Sequence, residues 1–339
     1  MEDVGKQKKN PLFRDIPDVP HISRRKLFVG ILIVIVIFFG WGIFTSDKHL
    51  VGNYYVNKKG EVYAKGDGFV YGNNVLSGVD AETFAIIDNS RYVKDKNAIF
   101  AVLENGARRW VSLVGGADMS SFVGAGGSFG KDINHVFFED RVIVEADPST
   151  FSTVGDRDYA KDKQHAFFQD RIISDKPNVL RLITPTYYVN YISNQGSDGQ
   201  FYYYATDGVQ VFLNGNDIKG ADPTTFEVPF GGVPDLARDS HAIYFKGTRV
   251  DGADVKSFVV LPSLIQIGNH IKYSGYAKDR NHVYFVGYDY ESNLCAKKLC
   301  VLETADPKTF VIDDKSGAVG DAKDASHYFN NGNVVTKEK

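Results

Sequence analysis

Cysteine, methionine and tryptophan occur only twice each in 339 residues. Two cysteines cannot by themselves complete a zinc site and leave room for one disulfide at most. No Gly-x-Ser-x-Gly elbow, His-Glu-x-x-His pair or phosphate loop is present, which removes the usual motifs for acyl transfer, zinc hydrolysis and nucleotide binding. Charge excess is missing too: the formal net charge is -3, and the first 26 residues hold seven of the basic side chains against four acids. The rest of the chain is therefore mildly acidic and carries no electrostatic footprint for nucleic acid. What is abundant is glycine, at 33 residues, and the pair phenylalanine and tyrosine, at 24 and 19. Strand-forming aromatics alternating with turn formers lean toward an all-β fold.

One long apolar run stands apart. Leu27 to Phe44 reads LFVGILIVIVIFFGWGIF, without a charge or a hydroxyl. A membrane helix needs about 20 apolar residues, with a lower limit near 17. Arg24, Arg25 and Lys26 precede the run, while Thr45, Ser46 and Asp47 follow it, so the positive-inside rule keeps the N-terminus cytoplasmic. A cleaved secretory signal is the competing reading, but its apolar core is usually shorter and ends in small residues. Here the run ends in Trp41, Ile43 and Phe44. The expectation is a retained signal anchor in the lipid bilayer, single-pass in the inner (cytoplasmic) membrane. It follows a disordered cytoplasmic tail over residues 1–26 and places the remainder in a periplasmic or extracellular space.

Beyond residue 45 one phrase keeps returning. Gly130-Lys131-Asp132-Ile133-Asn134-His135-Val136-Phe137-Phe138 is echoed at Asp95, Asp162, Asp239, Asp279 and Asp324, and more weakly at Asp67 and Asp207. A second phrase follows 15 to 27 residues later in three clear copies, Ala146-Asp147-Pro148-Ser149-Thr150-Phe151, Ala221 to Phe226 and Ala305 to Phe310, with looser ones ending at Phe84, Phe122 and Phe258. Asp is a favoured N-cap and Pro suits the first helical position, so this phrase predicts one helical turn bearing an aromatic plug. Between the phrases, Phe138-Glu139-Asp140-Arg141, Phe245-Lys246-Gly247-Thr248 and Phe329 to Asn333 have hairpin chemistry. Each unit should thus run strand, Asp turn, aromatic strand, turn, third strand, helical turn. Eight units result, in two sets of four. Lobe one spans 45–180 with units one to four, and lobe two spans 181–339 with units five to eight, since Tyr187-Tyr188-Val189-Asn190 repeats Tyr54-Tyr55-Val56-Asn57 after the phrase breaks down from Lys176 to Pro185.

The Asp-Lys-Asn core with paired aromatics, trailed by Ala-Asp-Pro-x-Thr-Phe, resembles the DKNYY repeat family of bacterial envelope proteins over about residues 53–336. The second aromatic is usually Phe here, which keeps the apolar role. The resemblance implies the repeat architecture and a bacterial envelope setting, and no activity.

The residues that could carry chemistry recur with the repeat. His135, His165, His241, His282 and His327 are assigned one repeat position, where equivalents are spread along an array instead of converging on a metal. They are expected to brace turns, with a shared response to pH as a further option. The repeated Asp supplies one or two carboxylates per turn where calcium wants six to eight oxygens, so turn capping is expected. Gly124-Ala125-Gly126-Gly127 reads as a linker between units two and three. Cys295 and Cys300 enclose four residues in an insertion of unit seven and are expected to form a disulfide. No catalytic, cofactor or metal residue is assigned.

The fold expected is an all-β tandem array of about eight small β-meanders, open and solenoid-like, with a propeller-like ring as the alternative, preceded by one transmembrane helix. The function expected is a non-enzymatic binding or scaffold module of the envelope, with a protein, peptide or glycan partner. The alternative is an envelope hydrolase with its site in segments 176–199 or 288–299.

Overall fold

A computed structural model describes residues 47–335, apart from 66–73, 105–108, 156–157, 184–202, 231–232, 234, 268–269, 287–298 and 314–319. The predicted span Leu27 to Phe44 lies outside the described residues. Among the described residues no helix is long and apolar enough to cross a membrane.

The chain is all-β and forms eight small antiparallel sheets, each a meander of consecutive strands. Unit three is representative. Its strands are Val123–Gly126, Phe129–Lys131, Val136–Phe138 and Arg141–Val142, hydrogen-bonded in sequence order. Four strands rather than three make the unit, because the residues after the plug phenylalanine pair as a first strand. Gly124 belongs to that strand and not to a linker. A Cβ there would stand 2.4 Å from the Asp88 carbonyl oxygen, so the strand passes too close to unit two for any other residue. Unit six keeps three strands, its first reduced to the single bridge between Glu227 and Arg238.

The third strand explains the doubled aromatics. Val136, Phe137 and Phe138 are all buried, as are Ala166–Phe168 and Ile243–Phe245. A strand covered on both faces reads as a continuous apolar run instead of an alternating one. Phe137 belongs to a cluster with Tyr92, Ile99 and Phe122 of the unit two side, whereas Val136 and Phe138 join Phe151, Ala160 and Phe167 of unit four. Seven such clusters lie between consecutive units of the eight. The core is divided among the joints, and one of them, with Tyr159, Phe168, Leu180 and Ala205, spans residue 180.

A plug phenylalanine fills every joint but the one between units four and five. Phe151 lies 5.4 Å from Phe129 of the preceding unit and 6.0 Å from Phe167 of its own. Phe226 sits between Tyr204 and Tyr244, and Phe310 between Tyr276 and Phe329. Room for the ring comes from a small residue in the middle of the second strand: Gly130, Ala160, Ala205, Ala237, Ala277 or Ala322. A Cβ on Gly130 would meet the Phe122 ring at 2.4 Å.

Unit two has Val93 at the small-residue position, and the end units depart further from this rule. In unit one the pairing of Tyr55 with Tyr63 and of Tyr63 with Val75 puts Tyr55 at the small-residue position. Its ring stacks on Tyr63 at 5.7 Å and meets His49 at 5.0 Å, filling the place a plug would take. In unit eight the positions equivalent to Phe129 and Phe138 are Asp321 and the exposed Asn330.

Truncating a plug should open a joint. Phe151→Ala is expected to cost about 3–5 kcal/mol, as for other buried aromatics, read as a lowered urea midpoint. A cost under about 1 kcal/mol would contradict the sandwiched placement.

Candidate functional site: the turn carboxylates and the groove beside unit six

Each turn aspartate begins as a local cap. The Asp132 Oδ1 accepts the backbone N–H of Asn134 at 2.7 Å and of His135 at 2.6 Å. Asp95, Asp162, Asp207, Asp239, Asp279 and Asp324 repeat the pattern with their own second and third neighbours. In unit one the register places Asn57 in this role, its Oδ1 accepting from Lys59 and Glu61. The predicted first-unit Asp67 lies outside the described residues.

The second carboxylate oxygen does something the sequence did not disclose. Asp132 Oδ2 accepts the backbone N–H of the plug residue Asp118 at 2.8 Å. The same bond joins Asp80 to Asp95, Asp147 to Asp162, Asp222 to Asp239, Asp254 to Asp279 and Asp306 to Asp324. A return bond completes the clasp: the plug hydroxyl of Thr150 accepts the N–H of Lys163, and Thr83, Ser121, Thr225, Ser257 and Thr309 do likewise. The plug itself is the expected helical turn, with the Phe151 N–H donating to the Asp147 carbonyl at 3.0 Å and Asp147 Oδ1 capping Ser149. Bonding assigns each plug to the turn that follows it, so the helical turn opens a unit and does not close one.

Unit five shows the same joint made from other atoms. Ser174 Oγ donates to Asp207 Oδ2 at 2.6 Å where a plug N–H would stand, the 3₁₀ turn Pro177–Val179 replaces the plug turn, and Leu180 replaces the phenylalanine. The phrase fails in this stretch while the geometry persists.

Five of the turn carboxylates, Asp132, Asp207, Asp239, Asp279 and Asp324, are held ionised. Burial would raise the pKa of Asp132, but the N–H donors of Asp118, Asn134 and His135 outweigh it and the net shift is downward. Asp207, Asp239, Asp279 and Asp324 are lowered by the same balance, burial opposing and hydrogen bonds prevailing. On the plugs, the Lys96 ammonium and the Thr83 hydroxyl draw Asp80 down to about 2, and Ser121 and Ser120 lower Asp118.

The histidines brace turns chiefly through their backbone. His135, His165, His282 and His327 donate their N–H to the turn carboxylate, and their rings lean on the third-strand aromatic at 5.9 to 6.1 Å. Nδ1 of His135, His282 and His327 stands 3.6, 4.0 and 3.4 Å from Oδ1 of the same Asp. His241 does not share this position. It falls one residue earlier in its turn, with Nδ1 2.8 Å from Ser240 Oγ. Among the described residues no group of three or more His, Cys, Asp or Glu could hold a metal ion.

Cys300 lies on the fourth strand of unit seven opposite Phe285, and Cys295 lies outside the described residues. So do most of the two segments expected to hold a hydrolase site, 176–199 and 288–299, of which 184–199 and 288–298 are outside. A groove of about 620 Å3 does occur elsewhere, lined by Thr224, Thr225, Glu227, Arg238, Ser240 and Lys256 among others. It lies between the plugs of units six and seven, beside the sheet that lacks its first strand. Arg238 Nε donates to Glu227 Oε1 at 2.7 Å along one side.

Two outcomes are expected from the clasp. Asp132→Asn keeps the Oδ1 cap but sets an amide donor against the Asp118 N–H, at a cost of about 1–3 kcal/mol in urea unfolding; an unchanged midpoint would remove the clasp from the stabilising set. For pH, the folded-state pKa values lie below the ordinary 3.8 of Asp. Such groups contribute stability above the unfolded value that is lost as pH falls through the folded ones. Unfolding midpoints should therefore hold from pH 7 to 5 and drop steeply between about 4 and 2, which chemical denaturation at fixed pH steps would reveal.

Among curated proteins and among solved structures nothing matches the chain. The DKNYY family matches residues 107–232 and again 236–338, over regions that carry the turn aspartates, plugs and paired aromatics just described. Its first match starts at residue 107, later than the repeat does, between the paired strands Ile99–Glu104 and Arg109–Leu113 of unit two. On that coverage the chain belongs to the DKNYY family.

Proposed function

We propose that the chain is a single-span protein of the bacterial inner membrane whose eight-unit array stands outside the cytoplasm as a non-enzymatic binding or scaffold module. The observation that carries this reading is where the reactive side chains go. The repeated aspartates and plug hydroxyls are committed to clasps within units, and the aromatics are committed to joints between them. The array is left with rows of exposed β-branched residues on its sheet edges: Val142, Ile172 and Val334 on fourth strands, Val123, Val259 and Val311 on first strands. Edge strands of this kind can receive a protein or peptide partner by pairing or apolar contact.

An open array rather than a ring agrees with the two end units. A ring would bring the outer face of unit eight onto unit one, yet Asp321 and Asn330 replace the apolar pair, one member at least aromatic, that makes this face in the other units, and Tyr55 already fills the receiving slot. Polar or self-filled ends are how stacked repeats terminate. The anchor rests on Leu27 to Phe44 and its basic flank. The Cys295 to Cys300 bridge rests on their spacing and the extracytoplasmic setting.

Alkaline phosphatase fused after residue 339 should be active, and the same fusion to a chain lacking residues 27–44 inactive. Mass spectrometry of the purified protein should return the intact N-terminal segment. A new N-terminus shortly after Phe44 would overturn the anchor, and an inactive full-length fusion would overturn the topology.

A further inference from the structure

The groove beside unit six lies where the joints after units three and seven carry a lysine strap that this joint lacks. In unit three the second strand ends in Lys131, whose Nζ crosses to the next unit and donates to the plug carbonyls of Pro148 at 2.9 Å and Phe151 at 3.2 Å. Lys278 of unit seven does the same to Pro307 at 3.2 Å and Phe310 at 3.0 Å. The ammonium caps carbonyls that a one-turn helix leaves without internal donors. In unit six the equivalent residue is Arg238, which turns back to Glu227 across its own sheet. Glu227 is the one acid in a first-strand position that holds Lys48, Ala85, Val123, Ser152, Arg181, Val259 and Val311 in the other sheets. Among the described residues no ammonium or guanidinium group reaches the Val255 and Phe258 carbonyls, the counterparts of Pro148 and Phe151. The space the strap would cross is the groove of about 620 Å3.

We propose that this groove is a binding site for a ligand bearing a primary ammonium group, which takes the place of the absent lysine Nζ. The ammonium donates to the Val255 carbonyl of the groove wall and to the Phe258 carbonyl of the same plug turn, and shares the Glu227 carboxylate with Arg238, whose Nε already donates to it. The Thr224 and Thr225 hydroxyls donate to Asp222 and the Ser240 hydroxyl bonds His241 Nδ1, so these side chains hold the wall in shape. Asp239 takes no part, since its oxygens already accept from Asp222, His241, Ala242 and the Tyr244 hydroxyl. Lys256, also in the lining, is exposed, so water screens its repulsion. A lysine side chain and an amino sugar both present this chemistry. The site rests on the binding reading above and names one place and one ligand class within it.

The test uses the full chain in detergent micelles, titrated with Nα-acetyl-lysine methylamide and with glucosamine. The Nε-acetylated lysine derivative and N-acetylglucosamine serve as controls. One or both amines should bind saturably with backbone NMR shifts at Thr225, Glu227 and Val255, and the acetylated counterpart should bind at least tenfold more weakly. Whichever amine binds identifies the source. Arg238→Lys restores the residue of units three and seven; its ammonium should reach the carbonyls and weaken amine binding at least tenfold while raising the urea midpoint. Glu227→Gln should weaken binding without that gain. Equal binding of amine and acetylated probes, no saturable binding of either amine, or full binding to Arg238→Lys would each overturn the site. Amine shifts confined to another joint would overturn it while leaving the broader binding reading standing.

Discussion

A buried carboxylate that accepts three backbone N–H groups is the interaction on which the array depends. Left alone, a charge at that depth would be costly to desolvate. Here its two oxygens take up donors that the turn and the plug would otherwise leave unpaired, and a charged acceptor makes each bond stronger than a neutral one would be. One oxygen shapes the turn between second and third strands. The other fixes where the preceding helical turn must lie, and so fixes where its phenylalanine enters the joint. Strand pairing, plug position and aromatic packing are all set from this point.

The division of labour between the oxygens also accounts for the exceptions. Asn57 serves in unit one, where its single carbonyl oxygen covers the two turn donors and no plug phrase precedes it. Asp207 is retained in unit five although the plug phrase has gone, because Ser174 presents a hydroxyl to the same oxygen. In units six and seven the third-strand aromatic is tyrosine, and its hydroxyl adds a donor to Asp239 and Asp279 at 2.8 Å each.

Sequence reading recovered what is written in side chains. The Asp turns, the capped helical turn with its phenylalanine, the hairpins at Phe138, Phe245 and Phe329 and the number of units all follow from residue identities at fixed spacing. It missed what is carried by backbone atoms. The donor that joins plug to turn is an amide N–H, which leaves no letter, so the helical turn was grouped with the wrong neighbour. The first strand was overlooked because Val123–Gly126 is glycine-rich, and glycine there answers to the carbonyl of Asp88 instead of to a flexible connection. At unit five, serine and leucine deliver contacts that elsewhere come from an amide and a phenylalanine. His241 stands where the other turns have Asn134 or Gln164, and Ala242 takes the histidine position, a one-residue offset that composition alone does not display; the groove at unit six depends on which way Arg238 turns.

Because each core cluster belongs to two units, no unit owns enough buried surface to persist alone, while every joint asks for nearly the same complement: a ring from one side and a small residue beneath it. Whole units can therefore be added or removed between the ends without redesigning what remains. The number eight is a property of this chain, and lengthening the array is a matter of duplication.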